Sequence, residues 1–303
     1  MAVYHLRLPG GWVNAKVLER ALLTTGEPHA DLYTSLRCTL PAGCKIMIDA
    51  GTRLLSLANQ LAHSGKRVVL EFEEGLDGVM GYLDRLSFFD QLDPRIVVIP
   101  EPPAESAGSQ RRGSNPDLVE LRAITPGSRD RELPRELADA VEDACYGRTD
   151  RTRLGQAAYT VLAELIDNIY EHSETQVDGC AALQVYRGGG QVWVAVSDSG
   201  RGILETIRPT LKRRSLVRLS DSELVVRMFN EGLSRFGTER GCGLRRCAEH
   251  ALKYRARLLL RLPTSGLELI PSHGGYKPDM AYIETGLRRL HGTHIAFQFR
   301  LSP

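Results

Sequence analysis

Residues 160–172, on which the interpretation of the second half of the chain depends, read TVLAELIDNIYEH. At about 100° per residue its apolar side chains fall in one arc, which predicts a helix that buries one face. That arc, extended to the residues just before, contains Leu154, Ala158, Val161, Leu162, Leu165 and Ile169. A second, adjacent face presents Glu164 and Asn168 one turn apart, with Asp167 at its edge.

Glu164 and Asn168 are placed to reach a single ligand, because side chains four residues apart are neighbours on a helix surface. The Asn168 amide offers an oxygen of the kind that binds Mg²⁺, and the Glu164 carboxylate can orient a water molecule. A solvent-exposed helix face would show the same pair, so this pattern alone does not separate a site from a surface.

The next motif follows a predicted strand. Residues 192–203 read VWVAVSDSGRGI, in which the strand ends at Asp198 and is followed by Gly200 and Gly202. Glycines there let the backbone approach a ligand closely or adopt a positive φ. The Asp198 carboxylate can accept a hydrogen bond from an exocyclic amine such as N6 of adenine. A tight turn with Asp198 as a turn residue is the alternative.

Two further motifs place glycines at the start of regular elements. Residues 236–248 read FGTERGCGLRRCA, where Gly241 and Gly243 introduce a helix through Leu244 whose free N–H groups would form an anion site. Residues 290–299 read LHGTHIAFQF, where Thr293 enters a final alternating strand. A flexible hinge and an ordinary strand start are the respective alternatives.

In this order and on these elements, the four motifs resemble the N, G1, G2 and G3 boxes of the GHKL (histidine-kinase-like ATPase) superfamily. The resemblance covers residues 116–303. It implies an α+β sandwich in which a Bergerat-type mixed sheet is covered by helices, with ATP and Mg²⁺ as ligands. Residues 203–240 would form the ATP lid, whose basic residues include Lys212, Arg213, Arg214, Arg218, Arg235 and Arg240. Either a phosphate contact from one of them or a solvated lid surface fits the sequence.

The resemblance also implies a role for each matched residue. Asn168 would ligate Mg²⁺ and Glu164 would be the general base or water-orienting carboxylate. Asp198 would bind adenine beside Thr293. The remaining expected nucleotide-binding residues are Gly200 and Gly202, which shape the pocket, and Gly241, Gly243 and Leu244 of the phosphate-cradling turn.

Periodicity predicts the elements around these motifs. The predicted strands cover residues 118–124, 181–187, 191–197, 257–262 and 294–301, and the predicted helices cover residues 132–146, 152–171 and 243–254. The three glycines at residues 188–190 suit a hairpin turn between the second and third of these strands.

The first hundred residues have a different pattern, in which short strands alternate with helices. The predicted strands cover residues 45–49, 66–72 and 95–99, and the helices between them cover residues 54–63 and 78–92. This order predicts a parallel sheet with helical cover. Residues 101–115, EPPAESAGSQRRGSN, have little to bury and predict a linker between residues 1–100 and 116–303.

The order of these elements and the run GYLDRLSFFDQLD at residues 81–93 resemble a STAS domain, the fold of anti-sigma-factor antagonists. The resemblance implies a regulatory role. Such domains carry a modifiable hydroxyl where a strand leads into a helix, and Thr52 is the nearest candidate. A helix-capping threonine is the alternative, so no modification site is assigned.

Composition limits the remaining classes. The 303 residues are 42% apolar and carry a net charge of +2, from 39 basic and 37 acidic side chains, which does not indicate binding to nucleic acid or to an anionic membrane. The six cysteines lack C-x-x-C spacing, and the N-terminus lacks the pattern of a signal peptide. We therefore expect a cytoplasmic protein with reduced thiols.

Three functions are compatible with the four motifs. In the first, slow Mg²⁺-dependent ATP hydrolysis switches the conformation or the partner binding of the protein. The second is a protein serine/threonine kinase, because ELIDNIYEHS at residues 164–173 is similar to the N box of anti-sigma-factor kinases. The third is a nucleotide sensor or adaptor without turnover. Each implies protein partners, and a homodimer is compatible with apolar sheet edges.

Overall fold

The computed structural model describes residues 2–172, 175–211, 219–231, 243–271 and 281–302. The strands before residue 116 are β1 (Ala2–Arg7), β2 (Gly11–Val13), β3 (Tyr33–Leu40), β4 (Cys44–Ile46), β5 (Arg67–Phe72) and β6 (Val97–Ile99). The helices there are α1 (Ala15–Thr25), α2 (Ile48–His63), α3 (Val79–Arg85) and α4 (Ala107–Gln110). We call this part the N-terminal unit.

The remainder of the chain, from residue 116, is called the C-terminal unit. Its strands are β7 (Leu118–Ile124), β8 (Gly179–Tyr186), β9 (Gln191–Ser197), β10 (Arg257–Arg261), β11 (Ser265–Leu269), β12 (Ala281–Thr285) and β13 (His294–Arg300). Its helices are α5 (Leu133–Ala144), α6 (Arg151–His172), α7 (Ile203–Ile207), α8 (Asp221–Glu231) and α9 (Gly243–Lys253).

The N-terminal unit is built on a parallel sheet with strand order β1-β3-β5-β6. Each neighbouring pair in this sheet is parallel, as the alternation of strands and helices predicts. The short strands β2 and β4 form a separate parallel pair. The sequence reasoning missed β1 and β3, which make up half of the four-stranded sheet.

The prediction of a strand over residues 45–49 and a helix from residue 54 is wrong at its boundary. β4 ends at Ile46, and α2 begins at Ile48 and runs to His63, with most of its residues buried. A short apolar run does not distinguish a strand from the first turn of a buried helix, which explains the error. Thr52 consequently lies inside α2, where it is buried and its hydroxyl donates to the Asp49 carbonyl, and it does not cap the helix.

The predicted helix over residues 78–92 is also shorter in the structure. α3 ends at Arg85, and Ser87 takes a left-handed conformation with φ 59°. The Phe88 N–H then donates to the Leu83 carbonyl, which closes the helix end. A serine occupies the place where glycine usually marks such an end, so the sequence carries no stop signal.

The C-terminal unit is built on a seven-stranded sheet with strand order β12-β11-β10-β13-β9-β8-β7. Helices α5, α6 and α9 cover one face, and the core between them contains Leu137, Leu165, Val194 and Phe297. The predicted α+β class is confirmed, with parallel and antiparallel sheets and covering helices. Parallel pairing lies in the N-terminal unit. All described pairs of the seven-stranded sheet are antiparallel, so the mixed sheet that the resemblance implies for residues 116–303 is not found among them.

The second face of the seven-stranded sheet packs against the N-terminal unit. Trp193, Ala195 and Ala296 point to this face and share a core with Leu54 and Leu57 of α2. At one end of this contact the Ile48 N–H donates to the Tyr186 hydroxyl at 2.9 Å. α2 therefore packs against both sheets, and the two units share a hydrophobic core.

Residues 101–115, for which the sequence predicts a linker, contain the short helix α4. Ser106 is buried and caps α4 by accepting from the Ser109 N–H, and its own hydroxyl donates to Asp90 at 2.5 Å. None of the helices in the described ranges has the length and apolar composition needed to cross a membrane.

Candidate functional site

A cavity opens between α6, the ends of β9 and β13, and α7. The space there measures about 520 Å³ when the open solvent at its mouth is included. Four of the residues that the sequence predicts for the site line it, namely Asn168, Asp198, Gly202 and Thr293. Three separate motifs therefore meet at one place in the fold.

Helix α6 supplies the polar wall of the cavity next to its apolar face. Leu165 and Ile169 are buried and line the cavity, and Asn168 is half-buried between them. The i, i+3, i+4 spacing of these three residues explains why one helix contributes both an amide and apolar walls. The predicted packing face of this helix is thus found in the core.

Glu164 lies one turn before Asn168 and is half-buried, but it is not among the residues that line the cavity. Its carboxylate is close to Cys247 of α9, where burial first and the Glu164 charge second raise the pKa of the thiol. Asp167 points elsewhere, because it forms an exposed ion pair with Arg129 at 3.5 Å. The Asp167 carboxylate therefore lies on the outer surface of the helix, apart from Asn168 and Glu164.

Asp198 is the buried acid of the site. Asp198 directly follows Ser197, the last residue of β9, and only 8% of Asp198 is exposed. Burial raises the pKa of Asp198 to about 6, while backbone hydrogen bonds from Gly200, Thr293 and Ser199 oppose that rise. The Gly200 N–H donates to Asp198 Oδ1 at 2.9 Å, which gives the predicted Gly200 a positioning contact with the carboxylate.

The two glycine turns press against each other behind Asp198. Gly292 has φ 94°, and a Cβ there would overlap the Asp198 carbonyl oxygen. Gly202 has φ 82°, and a Cβ there would come within 3.0 Å of the Gly292 carbonyl oxygen. Only glycine meets both requirements, a positive φ and a close backbone approach.

Thr293 joins these turns by hydrogen bonds. Its carbonyl accepts from the Asp198 N–H at 3.0 Å, and its hydroxyl accepts from the Ile203 N–H at 3.0 Å. Thr293 thus fixes the end of β9 and the start of α7 around the cavity.

Sequence reasoning missed several lining residues, most of them apolar. Val196 and Ile295 face each other across β9 and β13, and Ile203 and Thr206 come from α7. The alternation of strand side chains gives a signal for the first pair, because Val196 lies two residues before Asp198 and Ile295 two residues after Thr293. For Ile203 and Thr206 the sequence offers no such signal, since α7 was not predicted.

The remaining predicted residues belong to the phosphate turn and the lid. Gly243 and Leu244 open α9, which packs against α6 through the same core. Gly241 lies outside the described residues, as do the lid residues Lys212, Arg213, Arg214, Arg218, Arg235 and Arg240. Within the predicted lid, the structure shows the helices α7 and α8.

The donor set of the cavity fits a nucleotide better than a bare metal ion. In the described ranges, no three His, Cys, Asp or Glu side chains gather as metal ligands. Mg²⁺ commonly takes one or two protein oxygens and completes its shell with phosphates and water, so the Asn168 amide oxygen suits an ion carried by a triphosphate. The apolar walls and the buried Asp198 acceptor suit a flat base with an exocyclic amine.

Comparisons of the chain with protein-family models, with curated proteins and with solved structures found no match.

Proposed function

We propose that this chain is a GHKL-type protein that binds ATP with Mg²⁺ in the cavity beside Asp198 and hydrolyses it slowly. The proposal is supported above all by one observation, that Asn168, Asp198 and Thr293 from three distant segments line the same cavity. The nucleotide state would be coupled to the N-terminal unit and, in the cytoplasm, to a protein partner or a second copy of the chain.

The base would lie at the Asp198 end of the cavity. There the carboxylate is held by backbone N–H groups and surrounded by Val196, Ile203 and Ile295. An adenine N6 amine would donate to this carboxylate, whereas guanine presents a carbonyl oxygen at the corresponding position. The site should therefore prefer ATP to GTP.

The phosphates would lie towards α6 and the first turn of α9. Asn168 would hold Mg²⁺, which neutralises phosphate charge, and the free N–H groups at the start of α9 would face phosphate oxygens. Glu164 would orient a water molecule, since it lies one turn from Asn168 on the same helix.

Binding is tested by titration calorimetry of the purified chain with ATP and with GTP in the presence of Mg²⁺. Asp198→Asn removes the charged acceptor and should weaken ATP binding by about 1.5–3 kcal/mol, which is about ten- to 150-fold in Kd. The control is Asp167→Asn, since Asp167 pairs with Arg129 on the surface. No heat from the parent chain, or equal loss of ATP and GTP binding in Asp198→Asn, contradicts the proposal.

Hydrolysis is tested by phosphate release. Glu164→Gln should keep nucleotide binding and lower turnover by about a hundredfold or more, as expected when a general base is removed. Asn168→Ala should remove Mg²⁺-dependent turnover. Transfer of labelled phosphate to a protein would favour a kinase, and turnover at the parent rate in Glu164→Gln would refute the catalytic role of that residue.

A further inference from the structure

Helix α2 of the N-terminal unit holds a loop that borders the cavity. The side chain of Gln60 is buried, and its amide group donates to the His291 carbonyl at 2.9 Å. Its amide oxygen accepts from the His291 N–H at 3.0 Å. One side chain therefore satisfies both backbone groups of His291, as a neighbouring strand would.

The loop of residues 288–293, which we call the β13 loop, makes further contacts with the N-terminal unit. The Glu27 carboxylate accepts from the Arg289 N–H at 3.0 and 3.1 Å, and the Arg288 guanidinium donates to the Leu23 carbonyl at 3.0 Å. The rings of His29 and His291 meet edge to face with their centroids 4.7 Å apart.

The C-terminal unit itself contributes other anchors to this loop. The Leu290 N–H donates to the Pro263 carbonyl at 3.1 Å, and His294 Nε2 donates to the His291 carbonyl at 3.0 Å. The first contact holds Leu290, the residue before His291, and the second holds the His291 carbonyl. The His291 N–H, by contrast, donates to Gln60 of the N-terminal unit.

His291, which Gln60 holds, is next in the chain to residues at the cavity. Gly292 follows His291 and lies against the Asp198 backbone, and Thr293 binds the Asp198 N–H and the Ile203 N–H. Gly292 has no side chain to fix it, so its position depends on its neighbours in the chain. A shift of His291 would therefore move the turn that positions Asp198.

From these contacts we infer that Gln60 is a positioning residue for the nucleotide cavity, through which the N-terminal unit sets nucleotide affinity. The inference rests on the proposed function, since it concerns binding at that same site. Without the Gln60 contacts the β13 loop samples other conformations. The apparent Kd then rises in inverse proportion to the fraction of molecules in the binding-competent conformation.

The chain offers a matched control in the preceding residue. Asn59 also uses its carboxamide to hold two backbone groups, since it donates to the Gln91 carbonyl at 2.8 Å and accepts from the Asp93 N–H at 2.9 Å. Both partners of Asn59 lie in the N-terminal unit, away from the cavity. Asn59→Ala therefore removes the same chemistry from the same helix without touching the β13 loop.

The experiment compares the full-length parent chain, Gln60→Ala and Asn59→Ala by titration calorimetry with ATP and Mg²⁺. Gln60→Ala should raise Kd about tenfold, which corresponds to about 1.4 kcal/mol, while Asn59→Ala should keep the parent Kd. Hydrogen exchange without nucleotide should accelerate at residues 290–293 in Gln60→Ala alone. Gln60→Met keeps the length of the side chain and serves if the alanine variant does not fold.

The outcomes separate the two claims. If the parent chain binds ATP and Gln60→Ala binds with the same Kd, the positioning role is wrong and the proposed function stands. Equal weakening in both variants points to general loosening and also overturns the role of Gln60. If the parent chain does not bind ATP, the proposed function fails and the inference fails with it, whatever the exchange data show.

Discussion

At the scale of single residues, Asp198 gives the site a pH dependence. Burial raises the pKa of Asp198 to about 6, and only the ionised form is a pure acceptor for an exocyclic amine. Affinity for ATP should therefore be constant above about pH 7 and fall by up to about tenfold per pH unit below pH 6. Calorimetry between pH 5 and about pH 8 measures this, and Asp198→Asn should flatten the profile. A parent profile as flat as that of the variant would contradict the assignment.

Gly292 gives a second test at this scale. Gly292→Ala adds a Cβ that overlaps the Asp198 carbonyl oxygen at a backbone φ of 94°. It should lower the free energy of unfolding by more than the roughly 1–3 kcal/mol of backbone strain alone, and it should weaken ATP binding. Denaturant unfolding and calorimetry measure the two effects.

A matched glycine separates strain from overlap. Gly286 has φ 72° and open space where a Cβ would lie. Gly286→Ala should therefore show the cost of the positive φ alone. If the two variants lose the same stability, the close contact between Gly292 and Asp198 has no energetic importance.

The sequence predicts the polar residues that line the cavity better than the residues that support them. Asn168, Asp198 and Thr293 lie at the ends or on one face of regular elements, where spacing and alternation locate them. Gln60 carries no such signal, because its partner His291 is 231 residues away and the contact depends on how two units pack. Gly292 was visible as part of a motif, but its close approach to Asp198 appears only in three dimensions.

At the scale of secondary-structure elements, the sequence predicts the bounds of long elements with regular apolar periodicity. It does not predict short elements that lie between polar segments. Strands β7 and β9 have the predicted bounds, and α6 differs by one residue at each end. Strands β11 and β12 were missed, because short strands between polar segments give little alternation. The sequence predicts a lid over residues 203–240 and no helix there, whereas the structure has α8 at Asp221–Glu231.

Helix α1 meets β10 through a buried charge cluster. Glu19 accepts from Arg53 at 3.1 Å and from Arg261 at 2.8 and 3.1 Å, and all three side chains are buried. Glu19→Ala would leave two guanidinium groups buried without this carboxylate. It should therefore lower the free energy of unfolding by about 3–5 kcal/mol, measured by denaturant titration.

The control for this prediction is an exposed ion pair. Arg135 and Asp139 lie 3.8 Å apart on the surface of α5, one turn from each other. Asp139→Ala should change stability by less than about 0.5 kcal/mol. A loss in Glu19→Ala as small as this would show that the two arginines find solvent or other partners.

At the scale of the whole molecule, the second face of the seven-stranded sheet determines how the units behave. Trp193, Ala195 and Ala296 on that face are buried against the N-terminal unit, with Leu259 and Leu290 nearby in the same core. The sequence predicts two units joined by residues 101–115, but it gives no sign of this shared core. The continuous apolar run VWVAV at residues 192–196 indicates that both faces of this strand are buried, but it does not show what covers each face.

The shared core predicts that the two units unfold together. Separation of the units would expose the apolar face around Trp193 to water, at a cost of about 25 cal/mol for each Å² exposed, so an intermediate with one unit folded should be scarcely populated. The two tryptophans allow a direct measurement, because Trp193 is 5% exposed in the shared core and Trp12 is 60% exposed. In a Trp12→Phe chain the remaining fluorescence reports on the shared core alone. Its denaturant midpoint should coincide with that of far-ultraviolet circular dichroism, and an earlier fluorescence transition would mean that the units part before either unfolds.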